Sequence, residues 1–213
     1  MDQFIAQVQA LRNSIPFSTT ELSNIKSDYC NWVIPKRLMC GTYPWVDKPY
    51  FKHNFPTEFE AISNMKAIID DGVNTFISLQ IEEPEYPRYA PFALTLNSNA
   101  QFIHFPLTDN TTPQHSTFVK HLSLILEKLK DGRNIYIHCA GGHGRTGIYI
   151  ACILMILYGF SAKYAMYYTQ HFHNMRRKLD IRCNGEFPCM SPDLDIQREF
   201  ICDFEKFLKF SGF

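Results

Sequence analysis

Apolar residues are grouped along the chain in short continuous runs of the length of a buried strand. These runs cover residues 31–44, 73–79, 101–107 and 135–138, and the first is long enough for one or two strands that end in a turn. Residues 80–99 are rich in proline and predict a long irregular loop that borders a cleft.

The segments between these runs carry apolar residues at the spacing of an amphipathic helix. Thr57-Glu-Phe-Glu60 matches a capping box and predicts a helix start, and Gly72 predicts the stop. Pro113 and Gly132 bound the next predicted helix in the same way. Three more helices are predicted, and they cover 145–158, 162–174 and the segment from Ser191-Pro192 onward.

Strands that alternate with helices favour an α/β fold with a central, mostly parallel sheet flanked by helices. The chain has 213 residues, which is enough for one large domain with an extension. Residues 1–30 are predicted to form an N-terminal helical extension or arm, because 1–12 have helical spacing and 13–30 are polar and irregular. Residues 31–213 are predicted to form the main domain.

Composition narrows the classes of function. Hydrophobic residues make up 46% of the chain, and 21 basic residues balance 21 acidic ones. A net charge of zero gives no reason to expect nucleic acid or a membrane surface as a partner. The apolar stretch 148–160 is too short to span a bilayer, so it predicts a buried core helix and no membrane span.

The cysteines favour a reducing compartment. There are seven, an odd number, and their irregular spacing is typical of a reduced protein rather than of a disulfide framework. The N-terminus has no basic region followed by an apolar core, so no secretory signal is predicted. We therefore expect an intracellular location, with the cytoplasm first and the nucleus as the alternative.

The segment with the most candidate catalytic residues lies between the last predicted core strand and the next helix. It reads His138-Cys139-Ala140-Gly141-Gly142-His143-Gly144-Arg145-Thr146-Gly147. A helix start presents unpaired N–H groups and the positive end of the helix dipole. Glycines let successive N–H groups of a loop turn toward one anion. A thiol held there loses its proton easily, so Cys139 is predicted to be a thiolate nucleophile beside an anion site.

Other loops share parts of this pattern. Gly142-x-Gly144-x-x-Gly147 matches a dinucleotide-binding fingerprint, but no acidic residue follows about twenty residues on, and the strand falls late in the chain. A Walker loop needs Gly in place of Cys139 and Lys in place of Arg145. A glycine-rich turn with a buried cysteine and a rhodanese-like sulfur-transfer loop stay as alternatives.

The loop resembles the signature of the cysteine-dependent phosphatases, the protein-tyrosine and dual-specificity superfamily, which has His-Cys, five residues, Arg, then Ser or Thr. His138, Cys139, Arg145 and Thr146 fill this pattern without a departure. Gly41-Thr-Tyr-Pro44 is similar to the opening of the compact, dual-specificity-like branch. The resemblance implies a cysteine phosphatase fold and hydrolysis of phosphate monoesters through a phosphocysteine, with no metal or other cofactor.

The resemblance also implies a role for each catalytic residue. Cys139 would attack phosphorus, and Asp109, which follows a predicted strand upstream, would protonate the leaving oxygen. Thr146 would donate a hydrogen bond to the cysteine sulfur. The phosphate oxygens would be bound by Arg145 and by the loop positions Ala140, Gly141, Gly142, His143 and Gly144.

Two residues are predicted to support the site. His138 would order the loop, and Gln197 resembles a glutamine that positions the hydrolytic water in tyrosine-specific enzymes. Simpler interpretations exist for five candidates. They are a capping or turn aspartate at Asp109, a solvated side chain at His143, a surface arginine at Arg145, an ordinary first-turn threonine at Thr146 and an exposed first-turn residue at Gln197.

A phosphorylated protein is the predicted substrate, with phosphotyrosine first and phosphoserine or phosphothreonine as the extension that dual specificity implies. The chain is short for the tyrosine-specific branch, and no separate phosphotyrosine-recognition loop is evident. The loop lacks the lysines of phosphoinositide phosphatases and the asparagine before Arg145 that is typical of RNA triphosphatases. Lipid and RNA 5′-phosphate phosphatases are therefore alternatives, as is a pseudophosphatase that binds phosphoprotein without turnover.

Three groups of residues outside the loop have weaker signals. Histidines two apart on a helix face different ways, so no zinc site is predicted from His171, His173, Cys183 and Cys189. A basic run predicts either a solvated helix end or a patch for an anionic substrate, and its residues are Arg176, Arg177, Lys178 and Arg182. Candidate partners for an oxidative disulfide with Cys139 are Cys40 and Cys152.

Overall fold

The computed structural model describes residues 2–17, 29–46, 57–81, 87–176 and 190–211. The strands in these ranges are β1 (Cys30–Ile34), β2 (Leu38–Gly41), β3 (Thr75–Gln80), β4 (Gln101–Leu107) and β5 (Ile135–His138). The helices are α1 (Asp2–Ser14), α2 (Glu58–Asp70), α3 (Ala90–Leu96), α4 (His115–Lys130), α5 (Gly144–Tyr158), α6 (Ala162–Asn174) and α7 (Asp195–Phe210). None of these helices is long and apolar enough to cross a membrane.

The five strands form one sheet in the order β1-β2-β5-β3-β4. β1 is antiparallel to β2, whereas every other neighbouring pair is parallel. Gly41 at the end of β2 and Ser78 of β3 both pair with His138 at the end of β5. The predicted mostly parallel sheet is confirmed, and the carboxyl end of its central strand leads into the cysteine loop.

Side chains alternate between the two faces of the sheet, and helices flank both. On one face Phe76 and Phe102 stack and contact Tyr89, which precedes α3. On the other face Phe105 stacks against Tyr149 of α5. Helix α5 is buried almost throughout its length, because α1, α6 and α7 pack around it. The loop that precedes α5 is therefore fixed on one side by the sheet and on the other by the core helix.

Helix α1 confirms the predicted N-terminal helix and docks on α4 and α5. Its buried side chains, which lie in the same core cluster as the strands, are Val8, Leu11 and Ile15. Arg12 donates from Nε and Nη2 to the carbonyl oxygen of Ile156, over 3.0 and 2.7 Å. The boundary near residue 30 stays a prediction, because residues 18–28 lie outside the described ranges.

The prediction of one irregular loop over 80–99 is wrong in part, because α3 lies within it. Pro91 stands in the first turn of α3, where proline is tolerated because that N–H has no partner inside the helix. Ala90 and Ala93 bury the inner side of the helix. The proline-rich composition therefore obscured a short helix in the sequence, although proline at the first turn favours the start of that helix.

Two predicted helix starts differ from the structure by a few residues. Helix α4 begins at His115, because Gln114 still has extended backbone with ψ 137°. Helix α7 begins at Asp195 rather than at Ser191-Pro192. There the side-chain oxygen of Gln197 accepts from the N–H groups of Asp193 and Leu194, which stabilises a turn before the helix.

Candidate active site

The cysteine lies in a loop between β5 and α5, which we call the signature loop (residues 139–145). Its last residues form the start of α5, with His143 as the N-cap residue. The first N–H groups of a helix have no partner inside the helix, so they face the space that the loop encloses. The positive end of the α5 dipole points to the same space. Local chain geometry therefore surrounds Cys139 with groups that are suited to an anion.

Main-chain contacts with β2 hold the signature loop in place. The Tyr43 N–H donates to the Ala140 carbonyl oxygen over 2.9 Å. Gly142 has φ +71°, and a Cβ atom there would overlap the carbonyl group of Gly41. Glycine is required at position 142 for both reasons, because the left-handed backbone and the close approach each exclude a side chain.

Gly142→Ala is expected to lower the free energy of unfolding by about 3 kcal/mol or more, because it adds a backbone clash to left-handed strain. Gly159 is the matched control, since it also has positive φ but nothing lies within 4 Å of its Cβ position. Gly159→Ala is expected to cost only about 1 kcal/mol. Urea unfolding measures both, and equal losses at the two positions would show that the contact with Gly41 is unimportant.

Cys139 is buried, with 3% of its surface exposed, yet its environment favours the thiolate. Burial raises the pKa of the thiol, but Arg145 and hydrogen bonds from Thr146 and the Gly142 N–H lower that pKa by more, so the net shift is downward. The Gly142 N–H lies 3.2 Å from Sγ. The Thr146 hydroxyl is buried beside the sulfur and makes no well-aligned hydrogen bond among the described residues.

Arg145 connects the signature loop to the loop after β4. Its side chain is buried, and Nη1 donates to the Leu107 carbonyl oxygen over 3.0 Å. Nη2 lies 3.0 Å from Oδ1 of Asp109. Nε is buried and makes no hydrogen bond within the described residues. A guanidinium with an unused donor beside the start of a helix is suited to bind an anion.

Asp109 lies in the β4–α4 loop (residues 108–114), with 59% of its side chain exposed. It does not cap α4, because the residue before that helix is Gln114. Its neighbour Asn110 has φ +59°, which turns the chain sharply after β4. The turn directs the Asp109 carboxylate to Arg145, so the structure brings together the acid and the arginine that the sequence predicts for one site.

His138 is fully buried behind Cys139. Its Nδ1 lies 3.2 Å from the Cys139 carbonyl oxygen, and its Nε2 lies 2.7 Å from the Tyr89 hydroxyl. Burial lowers the pKa of His138 to about 3, although the bond to the Cys139 carbonyl opposes this shift. The ring is therefore neutral at pH 7. Because a carbonyl only accepts, we assign the proton to Nδ1, so that Nε2 accepts from Tyr89.

His143 is mostly buried, so its interpretation as a solvated side chain is wrong. The side chain is 13% exposed, and Nε2 lies 3.7 Å from Oδ2 of Asp193. Its ring meets the ring of His173 edge to face, with centroids 6.0 Å apart. These contacts turn the side chain of His143 toward α6 and the turn before α7, while its backbone remains part of the signature loop.

Gln197 is also buried, so its interpretation as an exposed first-turn glutamine is wrong. Its side-chain amide lies against Gly144, close enough that a Cβ atom there would be 3.2 Å from it. Its Oε1 accepts from the N–H groups of Asp193 and Leu194. The structure therefore brings Gln197 to the first residue of α5, and its part in catalysis stays a prediction.

The remaining predicted clusters have mixed outcomes. His171 is exposed and His173 is buried, so these histidines face different ways, and the two cysteines of that group lie outside the described residues. No group able to hold a metal ion occurs among the residues that the structure describes. The cysteines 30, 40, 139, 152 and 202 are free thiols.

Arg176 corrects the prediction of a solvated basic helix end, because its side chain is buried and contacts the signature loop. Arg177, Lys178 and Arg182 lie outside the described residues. The sequence also gave no sign of Tyr89, whose hydroxyl holds His138. No local pattern distinguishes either residue, since both act on parts of the chain that are distant in sequence.

Together, the α/β fold and the site define a class of protein. A thiol with a lowered pKa lies at the start of a helix, beside a buried arginine that also meets an aspartate from the next loop. That set of groups is characteristic of cysteine-dependent phosphatases.

Comparison with known families agrees with this class. Residues 27–201 match the model of the PTP-SAK family, described as the Swiss Army Knife protein, DSP-PTPase phosphatase domain. The match covers most of the chain, and the protein belongs to this family.

Viral phosphatases are among its relatives. The chain is 35% identical over 118 residues to the candidate tyrosine phosphatase 067L of Invertebrate iridescent virus 3, covering 53% of this chain and 48% of that protein. It is 37% identical over 82 residues to the dual specificity protein phosphatase OPG106 of Vaccinia virus, covering 38% and 47%. The chain thus spans about half the length of the curated relatives it matches.

Solved structures support the fold. A crystal structure of kinase associated phosphatase, in which the catalytic site cysteine is replaced by serine, aligns with a TM-score of 0.59. The alignment covers 81% of this chain and 87% of that one, at 18% sequence identity. At this identity the similarity establishes a shared fold.

Proposed function

We propose that the protein hydrolyses phosphate monoesters of phosphoproteins through a phosphocysteine intermediate on Cys139. The observation that carries this proposal is the position of Arg145. Its guanidinium lowers the pKa of the Cys139 thiol on one side and contacts Asp109 on the other. One buried cation thus links a nucleophile to an acid, which is the minimum set for phosphoryl transfer without a metal.

In the first step the Cys139 thiolate attacks phosphorus in line with the ester oxygen. The bond from phosphorus to that oxygen breaks, and protonated Asp109 gives its proton to the leaving oxygen. Arg145 binds two phosphate oxygens through its planar fork, and the N–H groups of residues 140–144 bind the others. The phosphate has to displace Asp109 from Nη2 of Arg145, which frees the carboxyl group to face the leaving oxygen.

In the second step water attacks the phosphorus of phosphocysteine. Asp109, now a carboxylate, takes a proton from the water, the bond from phosphorus to sulfur breaks, and Cys139 leaves as a thiolate. A hydrogen bond from the Thr146 hydroxyl stabilises the departing sulfur. We propose that Gln197, whose side-chain amide lies against Gly144 at the start of α5, helps to position this water.

Phosphoproteins are the proposed substrates because the named relatives are tyrosine and dual specificity protein phosphatases. We propose phosphotyrosine first, with phosphoserine or phosphothreonine in addition. The thiolate mechanism requires a free Cys139, so we also propose that the protein works in a reducing intracellular compartment.

The test is hydrolysis of a generic aryl phosphate, then of matched peptides with phosphotyrosine, phosphoserine or phosphothreonine, and of phosphoinositides and 5′-triphosphorylated RNA as competing substrates. We expect turnover that vanadate inhibits and EDTA leaves unchanged, with the phosphotyrosine peptide fastest. Binding of phosphopeptide without turnover would identify a pseudophosphatase, and faster turnover of lipid or RNA would contradict the phosphoprotein assignment.

Asp109→Asn is expected to slow hydrolysis of the phosphotyrosine peptide by about 10²-fold, because the leaving oxygen loses its proton donor. An aryl phosphate whose leaving group is already a stable phenolate should lose much less. Asp131→Asn, an exposed change at the far end of α4, is the control. Equal losses on both substrates would exclude Asp109 as the general acid.

A further inference from the structure

Behind the signature loop lies a buried arginine with four side-chain hydrogen bonds. Arg176 follows α6 and is 5% exposed. Its Nη2 donates to the Gly142 carbonyl oxygen over 3.0 Å and contacts Cys40 Sγ at 3.4 Å, and its Nη1 donates to the Gly141 carbonyl oxygen over 3.4 Å. Its Nε donates to Oδ1 of Asn31 over 2.7 Å. Among the described residues, the guanidinium of Arg176 is bound by the two loop carbonyl oxygens, Asn31 and Cys40. None of these partners is a carboxylate.

The two carbonyl contacts determine where the loop N–H groups point. In a trans peptide the C=O and the N–H of the next residue point in opposite directions. The Gly141 carbonyl faces Arg176, and the N–H of the same peptide group, which belongs to Gly142, donates to Cys139 Sγ over 3.2 Å. The Gly142 carbonyl also faces Arg176, so the N–H of His143 points away from that arginine.

We propose that Arg176 is a positioning residue that holds two consecutive peptide groups of the signature loop with their N–H groups toward the sulfur and the bound phosphate. This proposal rests on the proposed phosphatase function. Gly141 and Gly142 have no side chain to limit their backbone angles, so these peptide groups have more freedom to rotate than those of other residues. A cation that binds both carbonyl oxygens removes that freedom before the substrate arrives.

The chemistry of the site favours arginine over other residues. A guanidinium has two terminal nitrogens in a rigid fork, so it can bind two neighbouring carbonyl oxygens while its Nε is held from a third direction. Asn31 supplies that third contact from β1, and it also accepts from Cys40 Sγ over 3.7 Å. The loop is thereby tied to strands β1 and β2, which are fixed by the sheet.

The experiment compares Arg176→Met with Arg12→Met in the full chain. Arg12 is the matched control, because it also donates from its guanidinium to a main-chain carbonyl oxygen, that of Ile156, but near the last turn of α5 and away from Cys139. Three quantities are measured: the free energy of unfolding in urea, kcat/KM for an aryl phosphate, and the rate of iodoacetamide alkylation of Cys139 as a function of pH.

Both substitutions are expected to reduce stability. Only Arg176→Met should lower kcat/KM per folded molecule, by about 10²-fold, as for the loss of one preorganised N–H donor. It should also weaken vanadate inhibition and move the midpoint of Cys139 alkylation to higher pH. Arg176→Lys keeps the positive charge but loses the two-pronged guanidinium, so its effect on kcat/KM and on the alkylation midpoint should be intermediate. This variant decides the question if Arg176→Met does not fold.

Two outcomes would overturn the proposal. One is an Arg176→Met protein whose alkylation midpoint and vanadate inhibition match the wild type. The other is an equal loss of activity per folded molecule in Arg12→Met. Alkylation is measured without turnover. A wild-type protein that hydrolyses no phosphate ester would therefore refute the phosphatase function. The comparison of alkylation midpoints would still show whether Arg176 positions the loop.

Discussion

Cys139→Ser is expected to reduce phosphate ester hydrolysis to the uncatalysed background, a fall of about 10⁵-fold or more. The groups that lower the pKa of the thiol, chiefly Arg145 with the N–H of Gly142 and the hydroxyl of Thr146, cannot ionise a serine hydroxyl to a useful extent. The anion site itself is unchanged by this substitution. The variant should therefore still bind a phosphotyrosine peptide, which isothermal titration calorimetry can measure.

The control for this variant is Cys202→Ser, because Cys202 is an exposed cysteine on α7 and the change should leave activity intact. The lowered pKa of Cys139 gives a second readout. The thiolate fraction rises as pH increases through that pKa, so alkylation of wild-type Cys139 should reach half its maximal rate below pH 9.0, the ordinary value for cysteine. Retained hydrolysis in Cys139→Ser would exclude a phosphocysteine mechanism.

Arg145→Lys is expected to lower kcat/KM by about 10³-fold or more, close to the effect of an arginine that stabilises a phosphoryl-transfer transition state. The charge remains, but a lysine ammonium cannot form two parallel hydrogen bonds to phosphate oxygens. It also cannot keep the contact to the Leu107 carbonyl oxygen while binding phosphate. Steady-state kinetics on an aryl phosphate measure the effect, and vanadate inhibition should weaken in parallel.

Arg133→Lys is the matched control, since Arg133 is a partly buried arginine that donates to the Asn99 carbonyl oxygen at the opposite end of the sheet. Its activity should equal that of the wild type. If Arg145→Lys retained most of its activity, charge alone would be sufficient at this position, and the bidentate contact with phosphate would be wrong.

The fold could be predicted from the sequence where a local pattern is sufficient. The strands 101–107 and 135–138 were predicted with the bounds that the structure has, because each is an apolar run between turn-forming residues. The grouping of Cys139 and Arg145 was also predictable, since these residues have a fixed spacing at a strand-to-helix turn. Helix α3 was hidden because prolines usually interrupt helices, although Pro91 stands where they begin one.

The residues that hold the site from outside could not be predicted. Arg176 lies in a basic run whose composition is typical of a solvated surface, and its partners are Asn31, Cys40, Gly141 and Gly142. Tyr89 and Gln197 are similar cases, because each is buried by contacts between segments that are far apart in sequence. Local spacing carries no information on such pairs, so only the packed structure reveals them.

The contact between Gly41 and Gly142 limits how the signature loop can change over evolution. A side chain at Gly41 would overlap Tyr136, Cys30 and the main chain of Tyr29, and one at Gly142 would overlap Gly41 itself. Compensating mutations usually relieve a clash by shrinking its neighbour, but at Gly142 main chain meets main chain and no smaller residue exists. We therefore expect no second-site suppressor for a substitution at Gly142.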